Sequence, residues 1–191
     1  MSKLILASAS PRRHDLLQQM GLKFSVQVSN LEEIMDANLK PGHLVESLAR
    51  QKAQQVASML ETGIVIGADT IVVQGNSIMG KPAGSKDAAT MLHKLSGTSH
   101  QVLTGVAIID AATGRERVEH EATTVWFRQL DKREITNYIA GGEPEDKAGA
   151  YAIQGLGAIF VQGIEGCYFN VVGLPVARLA EMLKYFGITV L

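Results

Sequence analysis

Apolar and polar positions along the chain follow two different periods, which predicts an alternation of strands and helices. Short apolar runs, and runs in which every second residue is apolar, are typical of strands. They predict strands at Leu4 to Ala7, Phe24 to Val28, Ile64 to Val73, Ser77 to Met79, Gln101 to Ile109, Glu116 to Phe127, Ala158 to Val161 and Cys167 to Val172. Apolar stripes at a spacing of three and four residues predict helices after Ser10, from Pro41 toward Leu60, after Ser85, after Asp131 and from Pro175 to Phe186.

Residues with special backbone preferences mark the ends of several of these elements. Predicted helix N-caps are Ser10, Ser85 and Asp131, the last in a capping box with Glu134. Predicted turns are Gly21 in the left-handed position after a helix, the hairpin turn Gly75-Asn76, and Asp110 to Gly114 between two antiparallel strands. The segment Gly67 to Thr70 is expected to interrupt the strand that contains it.

These elements predict an α/β fold, with one mixed, twisted sheet and flanking helices in a single domain over residues 1–191. No Ser/Gly-rich linker, repeat or low-complexity tract divides the sequence. The strand-rich part after residue 97 is expected to form a lobe of its own, so that two lobes surround a central cleft. Such a cleft is a natural position for a ligand.

Composition excludes several classes of protein. The 191 residues include 18 Lys and Arg against 19 Asp and Glu, with 46% hydrophobic residues and a net charge of -1. This apolar content excludes a disordered chain, and the even charge balance argues against binding of duplex nucleic acid. The single cysteine, Cys167, excludes an internal disulfide and a cysteine-based zinc site, and it favours the cytoplasm. No apolar run has the length of a signal peptide or a membrane span.

Two arginines stand in the predicted first turn of the first helix, where a cation is unfavourable. The segment Ser8-Ala-Ser-Pro-Arg-Arg13 joins a strand to this helix, whose first N–H groups are unpaired and carry partial positive charge. One interpretation is a phosphate pocket, in which a polyanion binds the backbone amides and the side chains of Ser8, Ser10, Arg12 and Arg13. The other is a pair of exposed arginines whose long side chains reach water.

Two lysines could add positive charge to such a pocket. Lys52 lies four residues from both Leu48 and Val56, on the apolar stripe of its helix. Its ammonium either reaches solvent past the core or points into a cleft toward an anionic substrate. Lys81, between Gly80 and Pro82 on a stiff turn, is either a cation aimed at a ligand or an ordinary surface lysine.

Three carboxylates are candidates for catalysis and metal binding. Asp69 is the lone acid in an apolar run, and burial of a bare carboxylate is costly unless a cation, a metal ion or hydrogen bonds meet it. With Glu32 and Glu33 it supplies the oxygen ligands that Mg²⁺ or Mn²⁺ prefers. The alternatives are a strand-end Asp that caps a turn and a solvated acidic loop.

A segment of small residues, Asp146-Lys-Ala-Gly-Ala-Tyr-Ala-Ile-Gln-Gly155, carries the amide of Gln154 near its end. An amide presents both a donor and an acceptor, so Gln154 could read the edge of a base. The alternative is a connector between two elements. The common phosphate-loop, dinucleotide-binding and nucleophile-elbow motifs are absent from the sequence.

With these segments the chain resembles the Maf family of nucleotide pyrophosphatases, from Leu4 to about Phe186. The matching motifs are Leu6-Ala-Ser-Ala-Ser-Pro-Arg-Arg13, Gly67-Ala-Asp-Thr70, Gly80-Lys-Pro82, Leu95-Ser-Gly97 with His100, Asp146-Lys-Ala-Gly-Ala-Tyr151, Ile153-Gln-Gly155 and Val172-Gly-Leu-Pro175. They occur in family order. The resemblance implies a two-lobed α/β fold similar to that of the inosine triphosphatase family.

The resemblance also implies a reaction, in which a nucleoside triphosphate is hydrolysed to the monophosphate and pyrophosphate. Asp69 is then the general base and, with Glu33, a ligand of a divalent metal cation, Mg²⁺, Mn²⁺ or Co²⁺. The residues implied to contact the substrate are Ser8, Ser10, Arg12, Arg13, Lys52, Thr70, Lys81 and Gln154. A homodimer is also implied.

Arg12, Thr70 and Gln154 together resemble the specificity set of the dTTP/UTP branch of this family. The implied role is removal of these or of modified pyrimidine triphosphates from the nucleotide pool in the cytoplasm. Ala152 departs from the Gly expected in this branch, and its methyl group bears on fine specificity rather than on the reaction.

Two other classes of function stay open from the sequence. A non-catalytic nucleotide-binding regulator of cell division would need the same phosphate contacts, and the family name implies inhibition of septum formation. Such a regulator would not need Asp69. An RNA-contacting module built on Arg12 and Arg13 is disfavoured by the balanced charge and by an aromatic content of 5%.

Overall fold

The computed structural model of the chain describes residues 3–28, 34–36 and 38–191. Its strands are β1 (Leu4–Leu6), β2 (Phe24–Val26), β3 (Ile64–Gln74), β4 (Ser77–Met79), β5 (Ser99–Asp110), β6 (Glu116–Phe127) and β7 (Val161–Glu165). Its helices are α1 (Pro11–Gln19), α2 (Pro41–Ala57), α3 (Ser85–Leu95), α4 (Lys132–Ala140), α5 (Tyr168–Val172) and α6 (Val176–Lys184). Short 3₁₀ helices cover Glu143–Asp146, Ala148–Ala150 and Leu156–Phe160. Within the described ranges, no helix combines the length and the apolar character needed to cross a membrane.

The seven strands form one mixed sheet, which confirms the predicted α/β fold with its flanking helices. Their order is β2-β1-β3-β5-β6-β7, and β4 pairs with β3. β1 runs parallel to β2 and β3, whereas β4 and β7 are antiparallel to their neighbours β3 and β6.

β5 and β6 form a long hairpin, as predicted. At one end Phe127 N donates to Thr98 O at 3.0 Å, and at the other Asp110 N donates to Arg115 O at 2.9 Å. Because residue numbers rise along one strand while they fall along the other, the two strands are antiparallel.

The first of two compact units contains a buried cluster in which small side chains are frequent. This unit contains the described residues up to Asp69, together with Thr104–Glu121 and Gly173–Leu191. The residues of this cluster are Ile5, Ala7, Ala49, Ala53, Val56, Ala57, Val65, Ala107 and Ile109. Three of the seven buried residues of α2 are alanines, Ala49, Ala53 and Ala57, so this helix can lie close to the strands.

The second unit has an aromatic core. It contains Thr70–Leu103 and Ala122–Val172. Phe127 meets Tyr151 and Phe160 edge to face, with ring centroids 4.7 and 5.9 Å apart, and Tyr138 meets Phe160 at 4.8 Å. Such edge-to-face pairs add stability beyond the apolar area that they bury.

Several predicted element boundaries are confirmed. Asp131 and Glu134 form the capping box, since Glu134 N donates to Asp131 Oδ1 at 2.8 Å and Asp131 N donates to Glu134 Oε2 at 3.0 Å. Gly21 has the left-handed φ of +71°, and Gly75 stands at the hairpin turn with φ of +56°. These positions were predictable because local backbone chemistry decides them.

Two predicted strands near the C-terminus are wrong. Cys167 to Val172 contains the short helix α5, and Ala158 to Val161 is mostly the 3₁₀ helix Leu156–Phe160, after which β7 begins. A short apolar run does not by itself distinguish a strand from a buried helical turn. Here a tertiary contact decides, because Asn170 Nδ2 donates to Val102 O and Thr123 Oγ1, both at 2.9 Å.

The expected interruption at Gly67 to Thr70 is also wrong, because β3 continues from Ile64 to Gln74. Ser85 is the first residue of α3 rather than its N-cap, and that position belongs to Gly84 with φ of +154°. Ser10 is the N-cap of α1, but its side chain makes no capping hydrogen bond. The helices α2 and α6 end before the predicted Leu60 and Phe186.

His100 is a buried polar side chain in the aromatic core, with 3% of its surface exposed. Its Nε2 is 2.8 Å from Tyr151 Oη, and its buried Nδ1 has no hydrogen-bond partner within the described residues. Burial lowers the pKa of His100 from 6.5 to about 4, because the imidazolium would lose its hydration. The folded protein therefore keeps this imidazole neutral at pH values where the unfolded chain protonates it.

We expect the free energy of unfolding to fall as the pH drops from 6.5 toward 4, since only the unfolded state gains this proton. The destabilisation of the folded state by this proton is nil above pH 6.5, and it reaches about 3 kcal/mol near pH 4. Urea unfolding at pH 7 and pH 5 should show a smaller pH dependence for His100→Phe than for the wild type. Tyr151→Phe, which removes the same hydrogen bond but keeps the imidazole, should retain the wild-type dependence. An unchanged pH dependence in His100→Phe would contradict the assignment.

Candidate functional site

The loop between β1 and α1 is held in place by Ser8 and Arg13. Ser8 is buried, and its Oγ accepts hydrogen bonds from Ser10 N and from Arg13 Nη1, both at 3.2 Å. Arg13 Nε donates to Gly173 O at 2.9 Å. Arg13 therefore connects this loop to the segment that precedes α6, a positioning contact that the sequence did not predict.

The start of α1 keeps the features that favour an anion. Its described first turn contains no acidic residue, and the side chain of Ser10 does not cap it. The positive end of the helix dipole and its first N–H groups thus meet no carboxylate from this turn. Arg12 lies half-buried in the same turn.

Lys52 and Asp69 form an ion pair at the core of the candidate site. Lys52 Nζ donates to Asp69 Oδ1, and each side chain is only 16% exposed. This contact explains two unusual features of the sequence, the lysine on the apolar stripe of α2 and the lone acid in an apolar run. The two side chains neutralise each other. A pair with so little exposure is screened weakly by solvent, so loss of either partner leaves a costly charge.

Close approach of α2 to β3 creates this ion pair. A Cβ at Gly67 would lie 2.3 Å from Ala49 O and 2.8 Å from Ala53 N, so the backbones touch where the side chain is missing. Residues two apart on a strand share a face, and Asp69 therefore points to the same side as this contact. Lys52 is adjacent to Ala53 on α2, and its side chain meets Asp69 there.

A second glycine lets α2 lie close to the neighbouring strand β5. A Cβ at Gly105 would lie 2.1 Å from Val45 O. Val45 and Ala49 are one turn apart on α2, so the two glycines meet successive turns of the same helix. The position of α2 is thus fixed on both strands by contacts with its backbone.

The structure places Thr70, Lys81 and Gln154 in the second unit. Thr70 follows Asp69 on β3 and is half-buried, whereas Lys81 and Gln154 are exposed. The turn that carries Lys81 is bonded to the segment Asp146 to Gly155, because Gly149 N donates to Gly80 O at 3.1 Å. Two motifs that are far apart in the sequence are thereby brought together.

The predicted metal ligands are described only in part. Glu33, like Glu32, lies outside the described residues, so its predicted role stays a prediction. Across the described ranges, no three His, Cys, Asp or Glu side chains are grouped in the way that a metal ion requires. Asp69 supplies a carboxylate of the kind that Mg²⁺ accepts, and Mg²⁺ commonly takes only one or two protein carboxylates beside substrate phosphates and water.

Two polar residues near Gln154 make a contact that the sequence did not predict. Tyr138 lies on α4 and Glu143 follows that helix, and neither is among the predicted site residues. The structure shows that Tyr138 Oη donates to Glu143 Oε1 at 2.7 Å. The available signal was weak, since it consisted of an acid before a proline in a glycine-rich connector.

Comparison with known proteins gives full-length matches. The model of a family described as Maf-like protein matches residues 3–186. The chain is similar to a dTTP/UTP pyrophosphatase of Pelotomaculum thermopropionicum, with 54% identity over 191 residues and 100% of both chains covered. It is also similar to a dTTP/UTP pyrophosphatase of Bacillus pumilus, with 49% identity over 189 residues and 99% of each chain covered.

A solved structure shares the fold. A HAM1 protein from Coxiella burnetii matches with a TM-score of 0.55 and 16% sequence identity, over 97% of this chain and 100% of that one. At this identity the likeness concerns the fold alone, and it agrees with the predicted α/β fold.

We expect Gly67→Ala to lower the free energy of unfolding by about 1–3 kcal/mol, because α2 must move away from β3 to admit the methyl group. The atoms in its way are backbone atoms, which cannot rotate aside. Gly163→Ala is the matched control, since a Cβ there meets no atom within 4 Å, and it should change stability by less than about 0.5 kcal/mol. Urea unfolding measures both. A Gly67→Ala protein as stable as the wild type would show that this contact does not hold α2.

Proposed function

Because this chain belongs to the Maf-like protein family, we propose that it is a nucleoside triphosphate pyrophosphatase that hydrolyses dTTP and UTP. The products are the nucleoside monophosphate and pyrophosphate. The observation that carries the proposal is the full-length similarity to relatives named dTTP/UTP pyrophosphatase. The chemistry of the proposed site residues supports it, since they include a carboxylate, several cations and two serines next to a helix start.

In the proposed reaction Asp69 acts as the general base. Its carboxylate accepts a proton from a water molecule, whose oxygen attacks the α-phosphorus. The bond from the α-phosphorus to its bridging oxygen breaks, and pyrophosphate leaves with the electron pair. The ion pair with Lys52 holds the carboxylate in one orientation.

The cations and amides of the site are proposed to stabilise the charge that develops on the leaving pyrophosphate. Arg12, Lys52 and Lys81 supply positive charge, and the N-terminus of α1 supplies backbone N–H donors. Ser8, Ser10 and Arg13 belong to the same proposed set. The hydrogen bonds of Arg13 to Ser8 and Gly173 support an additional role, in which it holds the serine in position.

The residues fit a divalent metal cation such as Mg²⁺, Mn²⁺ or Co²⁺, because Asp69 offers a hard oxygen ligand and the substrate offers phosphate oxygens. We propose Asp69 and Glu33 as its protein ligands. When bound, such an ion polarises the phosphoryl oxygens and neutralises part of their charge.

Base selection is assigned to Arg12, Thr70 and Gln154. The uracil and thymine edges each present an N–H donor beside carbonyl acceptors, and the amide of Gln154 can match both. Ala152 lies two residues before Gln154 and is buried, so its methyl group is proposed to affect fine specificity. A homodimer, a cytoplasmic location and a role in clearing the nucleotide pool complete the proposal, and they are supported by the family resemblance.

A pyrophosphate-release assay tests the proposed function. The substrates are dTTP, UTP, CTP, dCTP, ATP and GTP, each with Mg²⁺, Mn²⁺ or Co²⁺. We expect equal amounts of monophosphate and pyrophosphate, with dTTP and UTP the preferred substrates. Binding of nucleotide without release of pyrophosphate would contradict the proposal and favour the non-catalytic regulator of cell division.

We expect Asp69→Asn to lower kcat by about 10²–10⁴, because an amide cannot accept the proton from water. The dissociation constant for dTTP, measured by calorimetry, should change much less than kcat. Asp110→Asn is the matched control, because its carboxylate lies in the β5–β6 turn, where Oδ1 accepts from Ala112 N. Near-normal turnover by Asp69→Asn would remove Asp69 from the role of base.

A further inference from the structure

Tyr138 and Glu143 form a hydrogen-bonded clamp on the loop that carries Gln154. Tyr138 Oη donates to Glu143 Oε1 at 2.7 Å and accepts from Ala152 N at 3.1 Å. Glu143 Oε2 accepts from Leu156 N at 2.9 Å, and Oε1 accepts from Gly157 N at 3.1 Å. The Tyr138–Glu143 clamp thus holds the loop on both sides of its tip.

Gln154 stands at the tip of this loop. Gly155 N donates to Ala152 O at 3.2 Å, which closes a tight turn with Ile153 and Gln154 as its central residues. The contacts of the clamp fall on the flanking residues, whereas the side chain of Gln154 is exposed. The clamp therefore fixes the backbone of the turn and leaves the amide to meet a ligand.

The loop fits the clamp closely. A Cβ at Gly155 would lie 2.4 Å from Glu143 Oε2, and a Cβ at Gly157 would lie 2.8 Å from Tyr138 Oη. Gly155 is thus explained by contact with Glu143. Gly157 is explained by contact with Tyr138 and with the backbone of Ala152, whose O would lie 2.8 Å from the Cβ. A loop that needed only flexibility would leave open space around them.

Charge makes the clamp strong. Burial raises the pKa of Glu143, but the hydrogen bonds from Tyr138 and from the amides of Gly157 and Leu156 outweigh it and hold that pKa below its ordinary value. Burial and the bond to this carboxylate raise the pKa of Tyr138, so its hydroxyl keeps the proton that it donates. Hydrogen bonds to a carboxylate are stronger than those between neutral groups.

A fixed loop matters for base selection because a glutamine amide can turn over. In one orientation it matches uracil, and in the other it presents a donor and an acceptor to cytosine, whose edge carries the opposite pattern. Discrimination between the two bases therefore requires that Gln154 be held at one position and one angle. The clamp acts on the backbone that sets both.

We propose that the Tyr138–Glu143 clamp positions Gln154 and thereby sets the preference of the enzyme for uracil and thymine over cytosine. Both are positioning residues, because they act through the loop. Their described hydrogen bonds go to each other and to the backbone of this loop. The proposal rests on the proposed function, since it concerns the base of the same substrate.

The test compares kcat/KM for UTP and CTP in Tyr138→Phe and Glu143→Gln. Each variant removes hydrogen bonds of the clamp, and we expect the UTP preference to fall about fivefold or more. The kcat for UTP should stay within about threefold of wild type, since the phosphate contacts are unaltered. Tyr168→Phe and Glu145→Gln are matched controls at exposed positions and should keep the wild-type preference.

A double-mutant cycle with Gln154→Ala separates positioning from mere stabilisation. If the clamp acts through Gln154, the loss of preference in Tyr138→Phe should disappear when Gln154 is already alanine. A structural role alone would lower the rates for UTP and CTP equally and would add to the effect of Gln154→Ala. Should Tyr138→Phe fail to fold, Glu143→Gln carries the same cycle.

These measurements distinguish failure of the proposed function from failure of the clamp proposal. A wild-type protein that releases no pyrophosphate overturns the proposed function and, with it, this role in base selection. A wild-type protein that prefers UTP, together with folded clamp variants that keep this preference, overturns the clamp proposal and leaves the proposed function intact.

Discussion

The candidate site depends on contact between the backbones of α2 and the sheet. Gly67 and Gly105 offer no side chain, so successive turns of α2 lie against β3 and β5 at distances that no Cβ would permit. From that contact follows the ion pair of Lys52 with Asp69, in which two charges with little exposure neutralise each other. Burial of charge is costly, and here it is compensated by a partner that the packing places at the required position. The same packing orients the carboxylate that we propose as the base.

Hydrogen bonds to side chains position two loops that carry proposed site residues. Arg13 ties the β1–α1 loop to Gly173, and the Tyr138–Glu143 clamp holds the turn of Gln154. Loops that carry functional groups often depend on such contacts, because they lack the regular backbone hydrogen bonds of helices and strands. In each unit, a described loop that carries a proposed site residue, Arg12 or Gln154, is thus supported by polar side chains next to it.

Much of the site could be predicted from residues that violate local rules. Lys52 on an apolar stripe, Asp69 in an apolar run and two arginines at a helix start each conflict with their surroundings, and such conflicts concentrate at functional sites. Packing was not predictable in the same way. Gly67 suggested a break in a strand. Its missing side chain instead allows contact with Ala49 of α2, which lies 18 residues earlier in the sequence. The strand predicted at Cys167 to Val172 is wrong for a related reason, because the hydrogen-bond partners of Asn170 lie on strands that are distant in the sequence.

Hydrolysis of dTTP in H₂¹⁸O, followed by ³¹P NMR of the products, tests directly whether water attacks the α-phosphorus. Attack of water on the α-phosphorus, directed by Asp69, predicts that the ¹⁸O label appears in thymidine monophosphate and that the pyrophosphate is unlabelled. Label in pyrophosphate or in orthophosphate would place the attack at another phosphorus and contradict the account.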